Sequence, residues 1–290
     1  MTITSDELPH LADRACLAAT EAGALISRYR DRAVAVRSKS AGDSLASQVV
    51  TDVDERSEAI ILRVLEPTIR QYDLAVLTEE RMDDRRRLAQ DYFWCIDPLD
   101  GTLPFIRTGT GFAVSIALVR KDGQPVIGVV FDPVSGQLYR ATAGAGIQID
   151  GQPFVPPLRA DRRLKFFCDY TFPAHPKREI IIHTMEVAAA RAGYTGVEVV
   201  AGAGAVLNAC RVLEDGPACY FKAPKTEAGG GSLWDFAATT CLFAEAGLHA
   251  RDFRGRPLDL NPAESTFMNH RGVCYASTVT LAAALLGATH

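Results

Sequence analysis

Trp94-Cys95-Ile96-Asp97-Pro98-Leu99-Asp100-Gly101-Thr102 is the most informative segment of the chain. The apolar, β-prone run Tyr92–Ile96 leads straight into Asp97, and Asp100 follows three residues later across a Pro-Leu turn. Two carboxylates held side by side at the end of a buried strand repel each other strongly in a low dielectric. A divalent cation removes that cost, and hard carboxylate oxygens suit Mg²⁺, which keeps room for water and phosphate oxygens. Gly101 allows close backbone approach, and Thr102 offers a hydroxyl and an N–H at a helix start, a seat for a phosphate. Taken alone, the same letters also describe an ordinary turn after a strand, since Asp, Pro and Gly all favour turns.

Three other acidic positions weigh against the plain turn. Glu79-Glu80 ends the short apolar run Leu74–Leu77, at the strand end where α/β sheets collect ligands. Asp54 lies near the start of a helix opened by Thr51 and Asp52; Thr51 with Asp54, and Asp52 with Glu55, have capping-box spacing. Trp234-Asp235 opens a helix over 234–246, after Gly229-Gly230-Gly231-Ser232 and before Gly247. Each has a bland counterpart, a solvated turn or a helix N-terminal acid favoured by the dipole. Their combination is what points to a metal-carboxylate site.

The rest of the chain reads as alternating blocks of helix and strand. Leu11, Ala15, Ala18, Ala22 and Leu25 form the apolar stripe of a first helix, and Ile60, Ile61, Val64 and Leu65 that of the second, with Pro67 near its end. Residues 36–48, including Lys39, lose periodicity and read as a loop, a candidate mobile lid. Ala113–Val119, Val126–Phe131 and Leu138–Ala141 predict a meander with turns at Lys121-Asp122-Gly123 and Asp150-Gly151. The Pro- and Arg-rich stretch 156–164 joins two halves, 1–155 and 156–290. The second half has helical segments at 178–192 and 204–214 with a strand at Tyr194–Val200 between them. This pattern favours a layered α/β architecture over a bundle or a sandwich.

Composition narrows the function classes. The 290 residues are 48% hydrophobic and 23% charged, ample for one large core or two packed ones. A net charge of −4 argues against a nucleic-acid polymer as partner and leaves a small phosphorylated metabolite, its charge offset locally. The longest apolar runs, Ala113–Val119 and Leu281–Leu286, fall short of the roughly 18 residues of a membrane span, and no secretory signal is read at the N-terminus. Seven cysteines, none in C-x-x-C spacing, read as reduced buried thiols of a cytoplasmic protein. The six histidines form no metal-spaced pair; His183, His249 and His270 read as core or surface residues.

The order V-T-x-x-D (Val50, Thr51, Asp54), E-E (Glu79, Glu80), D-P-L-D-G-T (Asp97–Thr102) and W-D-F-A-A…E-A-G (Trp234–Gly247) resembles the inositol monophosphatase superfamily over residues from about 35 to 276. The resemblance implies an αβαβα sandwich of the inositol monophosphatase and fructose-1,6-bisphosphatase type. It also implies lithium-sensitive, Mg²⁺-dependent hydrolysis of small phosphate monoesters. It assigns Glu79, Asp97 and the Leu99 carbonyl to one ion and Asp97, Asp100 and Asp235 to a second, with a third, weaker ion near Glu79. Thr102 paired with Asp54 would activate the attacking water, and the Gly101 and Thr102 N–H groups would hold phosphate oxygens. A homodimer is compatible with the resemblance, while the sequence itself does not give the oligomeric state.

For the substrate, two branches compete. Gly255–Leu260, Glu264–Asn269 and the Leu after Pro98 are similar to the 3'(2'),5'-bisphosphate nucleotidases, and so is Lys222, a cation suited to a second phosphate. Lys222 also reads as a snorkelling surface lysine. Leu207-Asn208 resembles the inositol phosphatases instead, with Asn208 and Asp235 as substrate contacts. Thr78, Leu103-Pro104 and the extra stretch Lys225–Gly230 depart from both. The expectation is hydrolysis of adenosine 3'(2'),5'-bisphosphate; inositol 1-phosphate, fructose 1,6-bisphosphate and a non-catalytic phosphate-binding regulator are the alternatives.

Overall fold

The structure is a computed structural model and describes residues 3–30, 36–38, 49–157 and 161–288. Five layers stack in the order helices, sheet, helices, sheet, helices. The first layer pairs α1 (Leu8–Tyr29) with α2 (Asp52–Tyr72). The first sheet has seven strands in chain order: β3 (Ala75–Thr78), β4 (Tyr92–Asp100), β5 (Ala113–Arg120), β6 (Pro125–Phe131), β7 (Leu138–Thr142), β8 (Ile147–Ile149) and β9 (Gln152–Pro153). Only β3 and β4 run parallel; the remainder is the expected antiparallel meander.

Strand β4 shows why this sheet is covered on both sides. Its residues alternate, so Trp94 and Ile96 pack with Leu11, Ala15, Ile61 and Leu65 of the outer helices. Phe93 and Cys95 face the other way, toward Val206, Leu213, Phe236 and Leu242 of the middle layer. That middle layer is α5 (Ala205–Glu214) and α6 (Leu233–Glu245). Burial of one large side chain of this kind is worth about 1.5–3 kcal/mol, so the faces of β4 tie three layers together.

The second sheet has the order β11-β10-β12-β14-β13, from β10 (Arg163–Asp169), β11 (Gly196–Ala203), β12 (Ala218–Lys222), β13 (His249–Arg251) and β14 (Val273–Ala276). β10 is parallel to both β11 and β12. The last layer, α4 (Arg178–Arg191) and α7 (Val279–Ala288), seals it, with Met185 and Leu281 against Leu164 and Phe166. The chain therefore has the αβαβα architecture.

Two local expectations are corrected. Residues 36–38 are not loop: β1 (Val36–Ser38) pairs antiparallel with β2 (Val49–Thr51), the valines at both ends of the stretch being strand formers. Residues 39–48, with the proposed lid and Lys39, lie outside the described residues. The strand expected to stop at Asp97 continues to Asp100. It pairs Asp97 with Ser115 and Asp100 with Ala113, and Pro98-Leu99 bulge between them. The plain turn after a strand is thus replaced by a bulged strand that runs into α3 (Thr102–Thr108). All seven cysteines are free thiols.

Candidate active site

The bulge in β4 re-aims Asp97 and Asp100 toward the start of α6, where Asp235 stands. One carboxylate oxygen from each of the three lies within 4.8 Å of the others. Each acid is fixed by backbone. Asp97 Oδ1 accepts from Leu99 N at 3.1 Å. Asp100 bridges to the N-terminus of α5, with Oδ1 accepting from Ala205 N at 3.1 Å and Oδ2 from Val206 N at 3.0 Å. Asp235, at the third position of α6, accepts from Ser232 N, and Ser115 Oγ of β5 holds the neighbouring Trp234 carbonyl at 3.2 Å.

Glycine makes the approach of these elements geometrically allowable. Gly101 sits at φ +85°, and a Cβ on it would lie 2.8 Å from the Gly111 carbonyl oxygen. A Cβ on Gly204 would fall 2.2 Å from Asp100 Oδ2, so a side chain there would evict the carboxylate from its helix amides.

The electrostatics are adverse without a cation. Burial, followed by the charges of Glu79, Asp100, Asp235 and Asp54, pushes the Asp97 carboxyl well above its ordinary range. Burial and then Asp235 do the same to Asp100, against the Val206 amide and Lys222. Burial also raises Asp235, while Lys222 and the Ser232 amide pull it back. Three acids gathered in this way, all hard oxygen donors, fit a divalent cation such as Mg²⁺ and would be costly for anything else.

The other expected residues border this cluster. Asp54 is buried on α2, and its charge acts on Asp97. Glu79, at the end of β3, is half-buried and is the nearest charge in effect on Asp97 after burial. The Leu99 carbonyl accepts Thr102 Oγ1 at 3.2 Å, which sets the hydroxyl beside the bulge. Lys222 is not a surface lysine: its ammonium lies 3.3 Å from Asp169 Oδ2 and 5.9 Å from the centre of the Phe236 ring. Its proton is held more firmly than in water, because Asp169, Asp235 and Asp100 outweigh the effect of burial. Asn208 is fully buried and stands behind Asp169, its Nδ2 3.4 Å from Asp169 Oδ1 and 3.2 Å from the Ala203 carbonyl.

Several residues of the site were missed. Ser57 Oγ donates to the Pro98 carbonyl at 2.8 Å, and the buried Glu58 takes Arg81 at 2.9 Å, tying the segment after Glu79-Glu80 to α2. Their signal was polar residues three and four positions after Asp54 on an otherwise apolar helix face. Gly204 was signalled by the alternation Gly202-Ala203-Gly204-Ala205 ahead of a helix. Asp169 and Tyr220 carried no local signal.

Comparison with known proteins agrees with this geometry. The sequence model described as the inositol monophosphatase family matches residues 7–289. The 3'(2'),5'-bisphosphate nucleotidase CysQ of Escherichia coli O157:H7 is 32% identical over 272 residues, 89% of this chain and 97% of that protein. The crystal structure of CysQ from Bacteroides thetaiotaomicron, a bacterial member of the same family, superposes with a TM-score of 0.69 at 26% identity, over 92% of this chain and 97% of the other. The inositol monophosphatase TM1415 of Thermotoga maritima superposes with a TM-score of 0.72 at 19% identity, over 96% and 97% of the two chains.

Proposed function

The chain belongs to the inositol monophosphatase family and is a phosphoric monoester hydrolase, and from that premise we propose that it removes the 3'(2')-phosphate of adenosine 3'(2'),5'-bisphosphate with Mg²⁺ as cofactor. The observation that carries the reading is the cluster of Asp97, Asp100 and Asp235, the first two buried and the third half-buried, with oxygens within 4.8 Å of one another. Among the described residues, Glu79, Asp100, Asp235 and Asp54 are the charges that act most on Asp97. Glu79, Asp97 and the Leu99 carbonyl would hold one ion, and Asp97, Asp100 and Asp235 a second, with Glu79 also available to a third, weaker one. When bound, Mg²⁺ supplies the positive field that makes water acidic near neutral pH and offsets charge on the leaving oxygen. Thr102, paired with Asp54, would orient and activate the attacking water, with the Asp54 carboxylate as the group able to take up its proton. The N–H groups of Gly101 and Thr102 hold phosphoryl oxygens. Phosphoryl transfer needs mainly positioning and charge compensation, so no thiol or imidazole nucleophile is called for. Burial keeps the thiols protonated in any case, pushing Cys16 to about 11 and Cys168 to about 12.

Two observations favour the bisphosphate over a monophosphate. The relative at 32% identity, matched over nearly its whole length, is a 3'(2'),5'-bisphosphate nucleotidase. A firmly protonated lysine, Lys222, also lies beside the acidic cluster, on the side of the second sheet. Hydrolysis of inositol 1-phosphate is the second reading, favoured by Asn208. Free thiols suit a reducing, cytoplasmic setting, and among the described residues no helix is long and apolar enough to cross a membrane. Phosphate release should be measured with and without Mg²⁺ on adenosine 3',5'-bisphosphate, inositol 1-phosphate and fructose 1,6-bisphosphate. The adenosine compound should be fastest and Mg²⁺-dependent; a much faster rate on inositol 1-phosphate would sink the reading.

A further inference from the structure

Asp169 is a charged residue on the substrate side of the cluster to which the mechanism above gives no task. It is the last residue of β10, at the carboxyl end of the parallel trio β11-β10-β12, where open α/β sheets present ligands. It pairs with Ala203, and Ala203 leads through Gly204 to the two amides that hold Asp100. Phe167 lies opposite Tyr220, so two residues further on Asp169 meets Lys222.

Among the described residues, its carboxylate is held in place by side chains alone. Oδ1 receives Tyr220 Oη at 3.0 Å and Asn208 Nδ2 at 3.4 Å, and Oδ2 receives Lys222 Nζ at 3.3 Å. A carboxylate has about four acceptor positions, so the three donors among the described residues leave one open. The relative exposure of the two charges decides which of them meets a ligand: the Asp169 side chain is 36% exposed, Lys222 only 21%. The carboxylate is the outer group and the ammonium the inner one, flanked by the cluster acids. The Asp169 side chain is therefore the more accessible of the two to an approaching alcohol.

We propose that Asp169 is a substrate-binding, specificity-determining residue whose open acceptor position takes a hydrogen bond from a hydroxyl of the leaving alcohol. It would select esters of sugars and polyols over esters of hydroxyl-free alcohols. Lys222, anchored by Asp169 at 3.3 Å, remains available to an anionic group on the same substrate. This rests on the phosphatase reading above but not on which sugar carries the phosphate.

The test is a residue-by-hydroxyl cycle with the full chain and Mg²⁺. In the parent, kcat/KM for adenosine 3',5'-bisphosphate should exceed that for its 2'-deoxy analogue by about tenfold or more, the worth of a hydrogen bond to a charged acceptor. In Asp169→Asn the ratio should collapse toward about 1, through loss on the ribose substrate. Tyr220→Phe, which removes one donor from Asp169, should reduce the ratio only in part, and melting temperatures of both variants report whether the fold is kept. An unchanged ratio in Asp169→Asn, or equal losses on both substrates, overturns the proposal, the second result assigning Asp169 to positioning Lys222. Inactivity of the parent on both bisphosphates would sink the substrate reading instead; the same cycle is then read on glycerol 2-phosphate against isopropyl phosphate.

Discussion

Asp252 and Asp97 are both buried acids, and their surroundings differ in kind. Asp252, in the turn after β13, accepts the Arg254 and Arg256 amides on Oδ1 at 2.8 and 2.9 Å. Its Oδ2 takes the Arg256 guanidinium at 2.8 and 3.0 Å. The charge is compensated four residues away, inside the same turn. Asp97 instead meets Glu79, Asp100, Asp235 and Asp54, all of its own sign. Burial alone therefore does not mark a functional acid. An acid that carries its own cation completes the fold, whereas an acid surrounded by acids asks for a cation from outside.

The largest effect expected from this contrast is at Asp97. Asp97→Asn should lower phosphate release by at least ~10²-fold, comparable to removing a main electrostatic stabiliser. In metal-free protein its melting temperature should stay level or rise, because a repulsive charge is gone. A sharp fall in metal-free stability with activity retained would break the comparison. Asp252→Ala should behave in the opposite sense. It leaves the Arg254 and Arg256 amides without their acceptor and the half-exposed Arg256 guanidinium without its partner. The loss is about 1–3 kcal/mol, read by urea unfolding, while Mg²⁺ still raises the melting temperature of the folded fraction. A loss of Mg²⁺ response there would mean that the two sites are not separate.

Gly204→Ala sharpens the contrast from the side of the backbone. Its Cβ would fall 2.2 Å from Asp100 Oδ2, so Asp100 must leave the Ala205 and Val206 amides. Loss of such a supporting contact typically weakens metal binding by about 10–100-fold, and calorimetric titration with Mg²⁺ should show a loss in that range. Lys222→Glu should cost roughly tenfold on a doubly phosphorylated substrate and less on inositol 1-phosphate. Equal losses would remove Lys222 from substrate selection.

The parts of the site that were legible in the sequence are those written in one place. Asp97, Asp100, Gly101 and Thr102 form a contiguous string, and Trp234-Asp235 follows a run of glycines, so these segments stood out as candidates, and the structure brings the three aspartates together. The meander was legible for the same reason, its strands being consecutive and separated by turn residues. Asp169 was hidden because its meaning arises from a parallel pairing with β12, across some fifty intervening residues. β10 itself escaped because Phe166-Phe167-Cys168 is buried on both faces and shows no alternation, next to an arginine-rich stretch that reads as linker. β13 and β14, of 3 and 4 residues, are too short to carry a period. The bulge in β4 was misjudged as a strand end, because Pro98 forbids a ladder N–H where the pairing merely skips and resumes.

The smallest expected effect is also the one that tests the electrostatic half of the contrast most directly. Asp97, Asp100 and Asp235 bind protons more tightly in the folded, metal-free chain than the ordinary aspartate near 3.8, and burial is the first cause in each. A group whose pKa is raised on folding contributes stability below its unfolded pKa and loses it as pH climbs through the folded one. Metal-free protein should therefore lose this contribution from about pH 4 upward. With Mg²⁺ bound the three carboxylates stay ionised at no such cost. The gap in melting temperature between Mg²⁺-loaded and metal-free protein should then widen as pH rises from about 4 and level off above the folded values. Each kcal/mol corresponds to about 2–4 °C for a chain of this class. Acids elsewhere in the chain titrate in both samples and cancel in the difference. Asp97→Asn should shrink the widening, and Asp252→Ala should leave it in place. A gap independent of pH would mean that the three acids are not the ones the ion relieves.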